Sequence, residues 1–296
     1  MSKLFSGKNP SLLFTAALRN DIIRITETLH EEIREERNGV NSLLREYLAE
    51  RDYKAVADAC TAWIKTWFAE NGPSSPAVIG ISGGKDSTVV AALCVQALGK
   101  ERVFGVLMPD GFQSDMDVSL RVVKTLDIPH AVINIRESVS AVRTALAEGL
   151  GRADFPPQML TNLPPRLRMT TLYAVSQSMN GRVSNNCNRS ENYVGYSTIF
   201  GDAAGDFSPL ANLTVAEIRE VGRKMHLPEE FLVKAPSDGL SGRTDEEAFG
   251  FSYETLDTYI LTGVCEDADV RAAIIKRHLA NQFKRKPMPE FEWNHL

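Results

Sequence analysis

The chain has 296 residues, of which 43% are hydrophobic and 24% charged, with a net charge of −5 and a pI near 5.7. That is enough for one large or two small domains with a real core, and it excludes a disordered chain, a collagen and a coiled-coil rod. The acidic balance gives no global drive toward nucleic acid or an anionic membrane, and no apolar run approaches the ~18 residues of a membrane helix, so neither partner is expected.

In chain order, Lys3 and Lys8 precede a short apolar run over 11–18 that Arg19 and Asp21 close. It reads as a helix start or an ordered arm, too short for a signal peptide. Ile22, Ile25, Leu29 and Ile33 step by three and four, which predicts an amphipathic helix over 21–37 whose other face carries Glu31, Glu32, Arg34, Glu35 and Arg37,. A second short helix is expected over 42–50. Val56, Cys60, Trp63 and Trp67 mark a third, ended by Asn71-Gly72-Pro73,. Residues 1–50 are thus expected to form an N-terminal helical extension to a main domain over 51–296.

From residue 77 the pattern alternates. Strands are expected at 77–81, 102–108, 130–135 and 182–185. Helices are expected at 87–98 with Gly99 as its stop, 114–126, 138–148, 168–179, 189–198, 214–226, 252–261 and 268–282. Residues 150–165, with Pro156, Pro157, Pro164 and Pro165, read as loop, as does 237–250 with Gly239 and Gly242,. The alternation implies an α/β fold, a parallel sheet with helices on both faces. Cys60, Cys94, Cys187 and Cys265 form no CxxC pair, and the five histidines form no HExxH. Reduced thiols in a cytoplasmic protein are expected.

The loop Gly80-Ile81-Ser82-Gly83-Gly84-Lys85-Asp86-Ser87 follows a predicted strand and opens a predicted helix. Backbone N–H groups in that setting can cradle a phosphate. The loop is not a Walker A sequence, since Asp86 follows Lys85 and the spacing from Gly80 is one residue short,. A carboxylate inside a phosphate loop repels the phosphate unless a cation lies between them, so Asp86 implies Mg²⁺. Glu191 opens a helix just after a strand and can face the same crevice.

SGGKDS resembles the signature of the N-type ATP pyrophosphatases, enzymes of the adenine nucleotide alpha hydrolase-like fold that cleave ATP between the α- and β-phosphates and transfer AMP to an acceptor. Further blocks narrow the resemblance. These are Asn185-Asn186-Cys187-Asn188-Arg189-Ser190-Glu191, Gly195-Tyr196, Phe200-Gly201-Asp202-Ala203-Ala204-Gly205-Asp206 and Pro209-Leu210. Lys234-Ala235-Pro236-Ser237-Asp238-Gly239-Leu240 with Thr244-Asp245-Glu246 follows, and Arg166-Leu167-Arg168-Met169 and Phe283-Lys284-Arg285 complete the set. Together they are similar to the NAD synthetase pattern over roughly 52–290. The resemblance implies ATP-dependent amidation of deamido-NAD by ammonia through an acyl-adenylate, in a homodimer with the dinucleotide near the subunit interface. It implies Asp86 and Glu191 as Mg²⁺ ligands, residues 80–87 with Asn186 and Ser237 as ATP contacts, and Arg168, Asp206 and Lys284 as deamido-NAD contacts.

The pattern is not met everywhere. Thr is frequent in the family at Asn186, Lys at Ile199 and Val215, Arg at Leu107 and His at Phe283. Lys85, where many members have Gln, is expected to supply the phosphate contact that Val215 lacks. Another pyrophosphatase, such as a tRNA-modifying enzyme, and a non-catalytic nucleotide-binding regulator stay open as alternatives. The helices before residue 51 are too short for the amidase domain of glutamine-dependent members, so free ammonia is the expected nitrogen donor.

Overall fold

The computed structural model describes residues 42–113, 116–234 and 245–291. The helix expected over 21–37 lies outside the described residues. Helix α1 (42–49) leads into α2 (Tyr53–Asn71). Asp52 caps α2, its carboxylate accepting the N–H groups of Lys54 and Ala55, and the Gly72 N–H closes it on the Phe68 carbonyl,. The buried face of α2 is Tyr53, Ala57, Ile64 and Phe68. The expected stripe lies beside it. Val56, Cys60 and Trp67 are partly buried, but Trp63 is 44% exposed. Both stripes have helical spacing, so periodicity establishes the helix and packing selects the face.

The sheet has four parallel strands, β1 (Ala77–Gly80), β2 (Val103–Leu107), β3 (His130–Val132) and β4 (Arg182–Val183), in the order β3-β2-β1-β4. Ala77 of β1 stands opposite both Val103 and Arg182, and Gly105 opposite His130. The helices that follow α2 are α3 (Lys85–Leu98), α4 (Met116–Thr125), α5 (Arg136–Leu150), α6 (Pro157–Ser178), α7 (Arg189–Val194), α8 (Val215–Lys224), α9 (Glu229–Val233), α10 (Asp245–Phe249), α11 (Tyr253–Thr262) and α12 (Ala268–Asn281).

The central strands β1 and β2 are apolar on both faces because each face is covered,. Ala77 and Ile79 join Val89, Leu93, Ile218 and Phe68 under α2, α3 and α8. Val78 and Val106 point the other way, against Met169 and Leu172 of α6. A third cluster of Val194, Val215, Phe249, Tyr253, Leu256 and Ile274 joins α7, α8, α10, α11 and α12.

Several boundaries differ from those expected. The proline-rich stretch over 150–165 is not loop throughout, because α6 begins at Pro157 and runs through Pro164 and Pro165. Pro157 fits the first turn, where an N–H has no helical partner. Pro164 and Pro165 each remove an interior bond, a loss that packing offsets, since Pro164, Met169, Leu172 and Ser176 are all buried,. Helix α7 stops at Val194, well before 198. Gly195 takes a left-handed φ of 68° there, and a side chain would meet Asn281 at 2.1 Å,. Of the loop expected over 237–250, Asp245–Phe249 is helical. Helix α9 carries no periodic signal long enough to read.

The chain steps outward from β1 through β2 to β3 and then returns to place β4 on the other side of β1. This reversal opens a crevice beyond the C-terminal ends of β1 and β4, the usual ligand position in such sheets. Ile79 of β1 has no exposed surface. Ile79→Ala is expected to lower unfolding free energy by about 2–5 kcal/mol in a urea titration.

Candidate active site at the switch point

A cavity of about 610 Å³ lies at that crevice, walled by the loop after β1, the segment after β4, α6 and Lys284. The loop after β1 is held by its own hydroxyls. Ser87 Oγ donates to the Gly84 carbonyl at 3.2 Å, Thr88 Oγ1 donates to the same oxygen at 2.8 Å, and the Gly84 N–H donates to Ser82 Oγ at 3.3 Å. Gly83 has φ 75°, and a side chain there would meet Ser119 at 2.9 Å, so the loop presses its backbone against α4,. The head of α3 thus opens on the cavity, where its first N–H groups have no helical acceptor,.

Asp86 and Glu191, the two expected metal ligands, both line this cavity. Asn188 holds them in relation to each other. Its side-chain oxygen accepts the Glu191 N–H at 2.9 Å, while Glu191 Oε2 accepts the Asn188 N–H at 3.1 Å, a reciprocal cap on α7,. The Asn188 amide then donates to Asp86 Oδ1 at 3.2 Å. The ammonium of Lys85, only 2% exposed, donates to Asp86 Oδ2 at 2.9 Å. Burial, then Asp86, pushes the Glu191 carboxyl well above the usual carboxylate range, against the opposing pull of Lys85 and the Asn188 N–H. Burial works against the Lys85 charge, but Asp86 and Glu191 outweigh it and hold its pKa above the ordinary lysine value.

The other expected residues divide. Gly80, Ile81, Ser82, Gly84, Ser87 and Asn186 line the cavity, and Asn186 donates to the Gly80 carbonyl at 3.1 Å, tying the β4 segment to the loop. Arg168 lines it too, with its Nε donating to the Met108 carbonyl at 3.0 Å. Lys284 lines it while donating to the carbonyls of Gly195 and Ser197 at 2.7 and 3.0 Å. Asp206 is not among the lining residues. Its carboxylate accepts the Val183 N–H at 2.7 Å and the Tyr173 hydroxyl at 3.1 Å. Ser237 lies outside the described residues. Among the departures, Leu107 and Val215 are buried in the core, whereas Phe283 is 62% exposed. The Ile199 carbonyl accepts from Arg166.

Asn188, Tyr253 and Asp257 were not singled out by sequence reasoning. Asn188 had a legible signal, the Asn-x-x-Glu spacing of a capping box. Tyr253 comes from α11, with its ring 5.5 Å from the Lys85 ammonium and its hydroxyl donating to Asp245 at 3.0 Å. Asp257 accepts the Ser190 hydroxyl and the Ala216 N–H, so it joins the heads of α7 and α8. Neither carries a local motif.

Fold and site together define an α/β protein of the adenine nucleotide alpha hydrolase-like class, with a glycine-rich loop and two carboxylates at its switch point. The sequence matches the NAD synthase family over residues 56–288, and the chain belongs to that family. An NH₃-dependent NAD⁺ synthetase from Finegoldia magna is 34% identical over 82% of this chain and 98% of its own length. Two solved structures are also similar. An NMN synthetase from Francisella tularensis has a TM-score of 0.73 and 33% identity, covering 81% of this chain and 100% of its own. An NH₃-dependent NAD synthetase from Campylobacter jejuni has a TM-score of 0.65 and 31% identity, covering 82% and 100%.

Burial pushes the Asp257 carboxyl up to about 7, while its bonds from Ser190 and Ala216 act the other way. Such a group binds its proton more readily in the folded chain than in the unfolded one. Its contribution to stability is therefore greatest below pH ~4 and falls as pH rises to about 7, by at most about 1.4 kcal/mol per unit,. Urea midpoints for wild type and Asp257→Asn at several pH values between 4 and 8 should show a smaller decline in the variant; parallel curves would contradict the assignment.

Proposed function

We propose that this chain amidates the nicotinate carboxylate of deamido-NAD with ammonia at the expense of ATP. The observation that carries the reading is the meeting of the SGGKDS loop, Asp86 and Glu191 in one cavity at the switch point. Family membership and the NH₃-dependent relatives support it. In this reading the carboxylate of the acceptor attacks the α-phosphorus of ATP, pyrophosphate departs, and ammonia then attacks the acyl carbon to release AMP. The N–H groups at the head of α3 hold the departing pyrophosphate, and Arg168 and Lys284 orient the acceptor. Catalysis rests on positioning and charge neutralisation.

Two carboxylates with phosphate oxygens and water are a hard-oxygen set of the kind Mg²⁺ prefers. Among the described residues no group of three or more His, Cys, Asp and Glu gathers as a metal centre. Asp86 and Glu191 would hold Mg²⁺, which when bound neutralises the phosphate charge. Cys187 lines the cavity, where burial, then Glu191, keeps its thiol well above the ordinary range, and the family match supports NAD synthesis over a tRNA-modifying activity. Residues 51–296 form the catalytic domain in this reading, and the assembly is a homodimer with the acceptor near its interface. Four free cysteines fit a reducing cytoplasm,. Among the described residues no helix is long and apolar enough to cross a membrane.

One observation favours a second acceptor. The NMN synthetase from Francisella tularensis superposes over its whole length. If its chemistry extends to this chain, nicotinate mononucleotide replaces the dinucleotide.

AMP release with each acceptor tests both readings. Deamido-NAD is expected to give the higher kcat/KM; a higher value with the mononucleotide selects the second reading, and no release with either rejects both. Ammonium should support turnover, whereas glutamine in ammonia-free buffer should not. Asp86→Asn and Glu191→Gln are each expected to cost at least about a hundredfold in the same assay. Wild-type rates in Asp86→Asn would remove the metal assignment.

A further inference from the structure

Lys85 is in an unusual place for a phosphate-loop lysine. It is the first residue of α3, and its ammonium turns back onto the adjacent Asp86 at 2.9 Å. It is the most enclosed member of the charged cluster, 2% exposed against 18% for the Asp86 side chain. Its ammonium lies 5.5 Å from the Tyr253 ring, and that residue is itself fixed by Asp245. Asp86 is therefore bonded on both oxygens, to Lys85 through Oδ2 and to Asn188 through Oδ1. A metal ion arriving from the cavity meets a carboxylate whose charge is already matched.

We propose that Lys85 is an internal counter-ion that competes with the divalent cation for Asp86. Without metal it keeps Asp86 and Glu191 together in the cavity wall. When metal binds, Lys85, a residue of the cavity lining, releases Asp86, and its ammonium turns to a phosphate of the bound nucleotide,. The enzyme thereby binds free metal weakly and metal with nucleotide strongly, because the nucleotide supplies the anion that receives Lys85. The account rests on the reading of Asp86 as a metal ligand.

The test is Mn²⁺ binding to the purified full chain, followed by electron paramagnetic resonance without nucleotide. Lys85→Gln and Lys85→Met remove the charge while keeping a stem. Each is expected to bind Mn²⁺ at least about tenfold more tightly than wild type, the scale of one charge-assisted hydrogen bond. Both should bind pyrophosphate without metal more weakly. A merely structural lesion would weaken both ligands together, so opposite directions identify the competition. Equal or weaker Mn²⁺ binding in the variants overturns the proposal. Asp86→Asn separates the two layers. If it abolishes Mn²⁺ binding while the Lys85 variants match wild type, only the competition fails; if it leaves Mn²⁺ binding intact, the metal assignment fails and the proposal with it. Should the variants not fold, a crystal structure of wild type with Mn²⁺ decides. Lys85 still bonded to an Asp86 that holds the ion would overturn the proposal, and Lys85 withdrawn from Asp86 would support it.

Discussion

Two carboxylates in one cavity wall repel each other, and burial penalises each charge further. The region around the switch point is organised to offset that cost. Asn188 bonds to both acidic residues, Lys85 neutralises Asp86, and the N–H of Asn188 meets Glu191. Lys85 in turn is enclosed beside Tyr253, which α11 supplies and Asp245 fixes. Any residue of this chain of contacts would fail to hold its neighbour if moved alone, since a buried charge without its partner is strongly destabilising.

The scaffold makes such a cluster possible by dividing its apolar work. The cluster under α2, α3 and α8 anchors β1 and hence the loop, while α6 anchors the opposite face of the sheet. The third cluster binds α7, α8, α10, α11 and α12 into the other side of the cavity, and Val215 belongs to it. A valine at that position is thus a packing residue here. Its N–H still contributes, donating to Ser190 Oγ at 3.0 Å, and Ser190 donates on to Asp257. The head of α8 is thereby fastened to the head of α7, which carries Glu191.

The departures from the family pattern have different consequences according to depth. Leu107 and Val215 are core positions, so a charged residue could be accommodated there only with rearrangement,. Ile199 and Phe283 lie in the loop and C-terminal segments that flank Lys284, where composition can vary without disturbing a core. Two of the departures thus fall in the core and two in flanking segments, while Asp86, Glu191 and the loop all remain at the cavity.

The loop over 80–87, Asp86, Glu191 and the parallel α/β class were legible in the sequence because their causes are local. A glycine run between a strand and a helix marks a tight backbone turn, and Asp86 and Glu191 both lie in the first turn of a helix that follows a strand,. The Asn188 capping box was equally local. The helical course of α6 through Pro164 and Pro165 was not, because packing against the sheet outweighs proline's local preference there,. Nor was the buried face of α2, for two stripes of equal period compete and only their neighbours separate them. Tyr253, Asp257 and the Lys85–Asp86 pairing also required tertiary structure. Asp257 meets Ser190 across 67 residues of chain, and Tyr253 reaches Lys85 from a helix beyond the sheet. No residue spacing encodes such a meeting; the packing of α11 against α7 and α8 creates it.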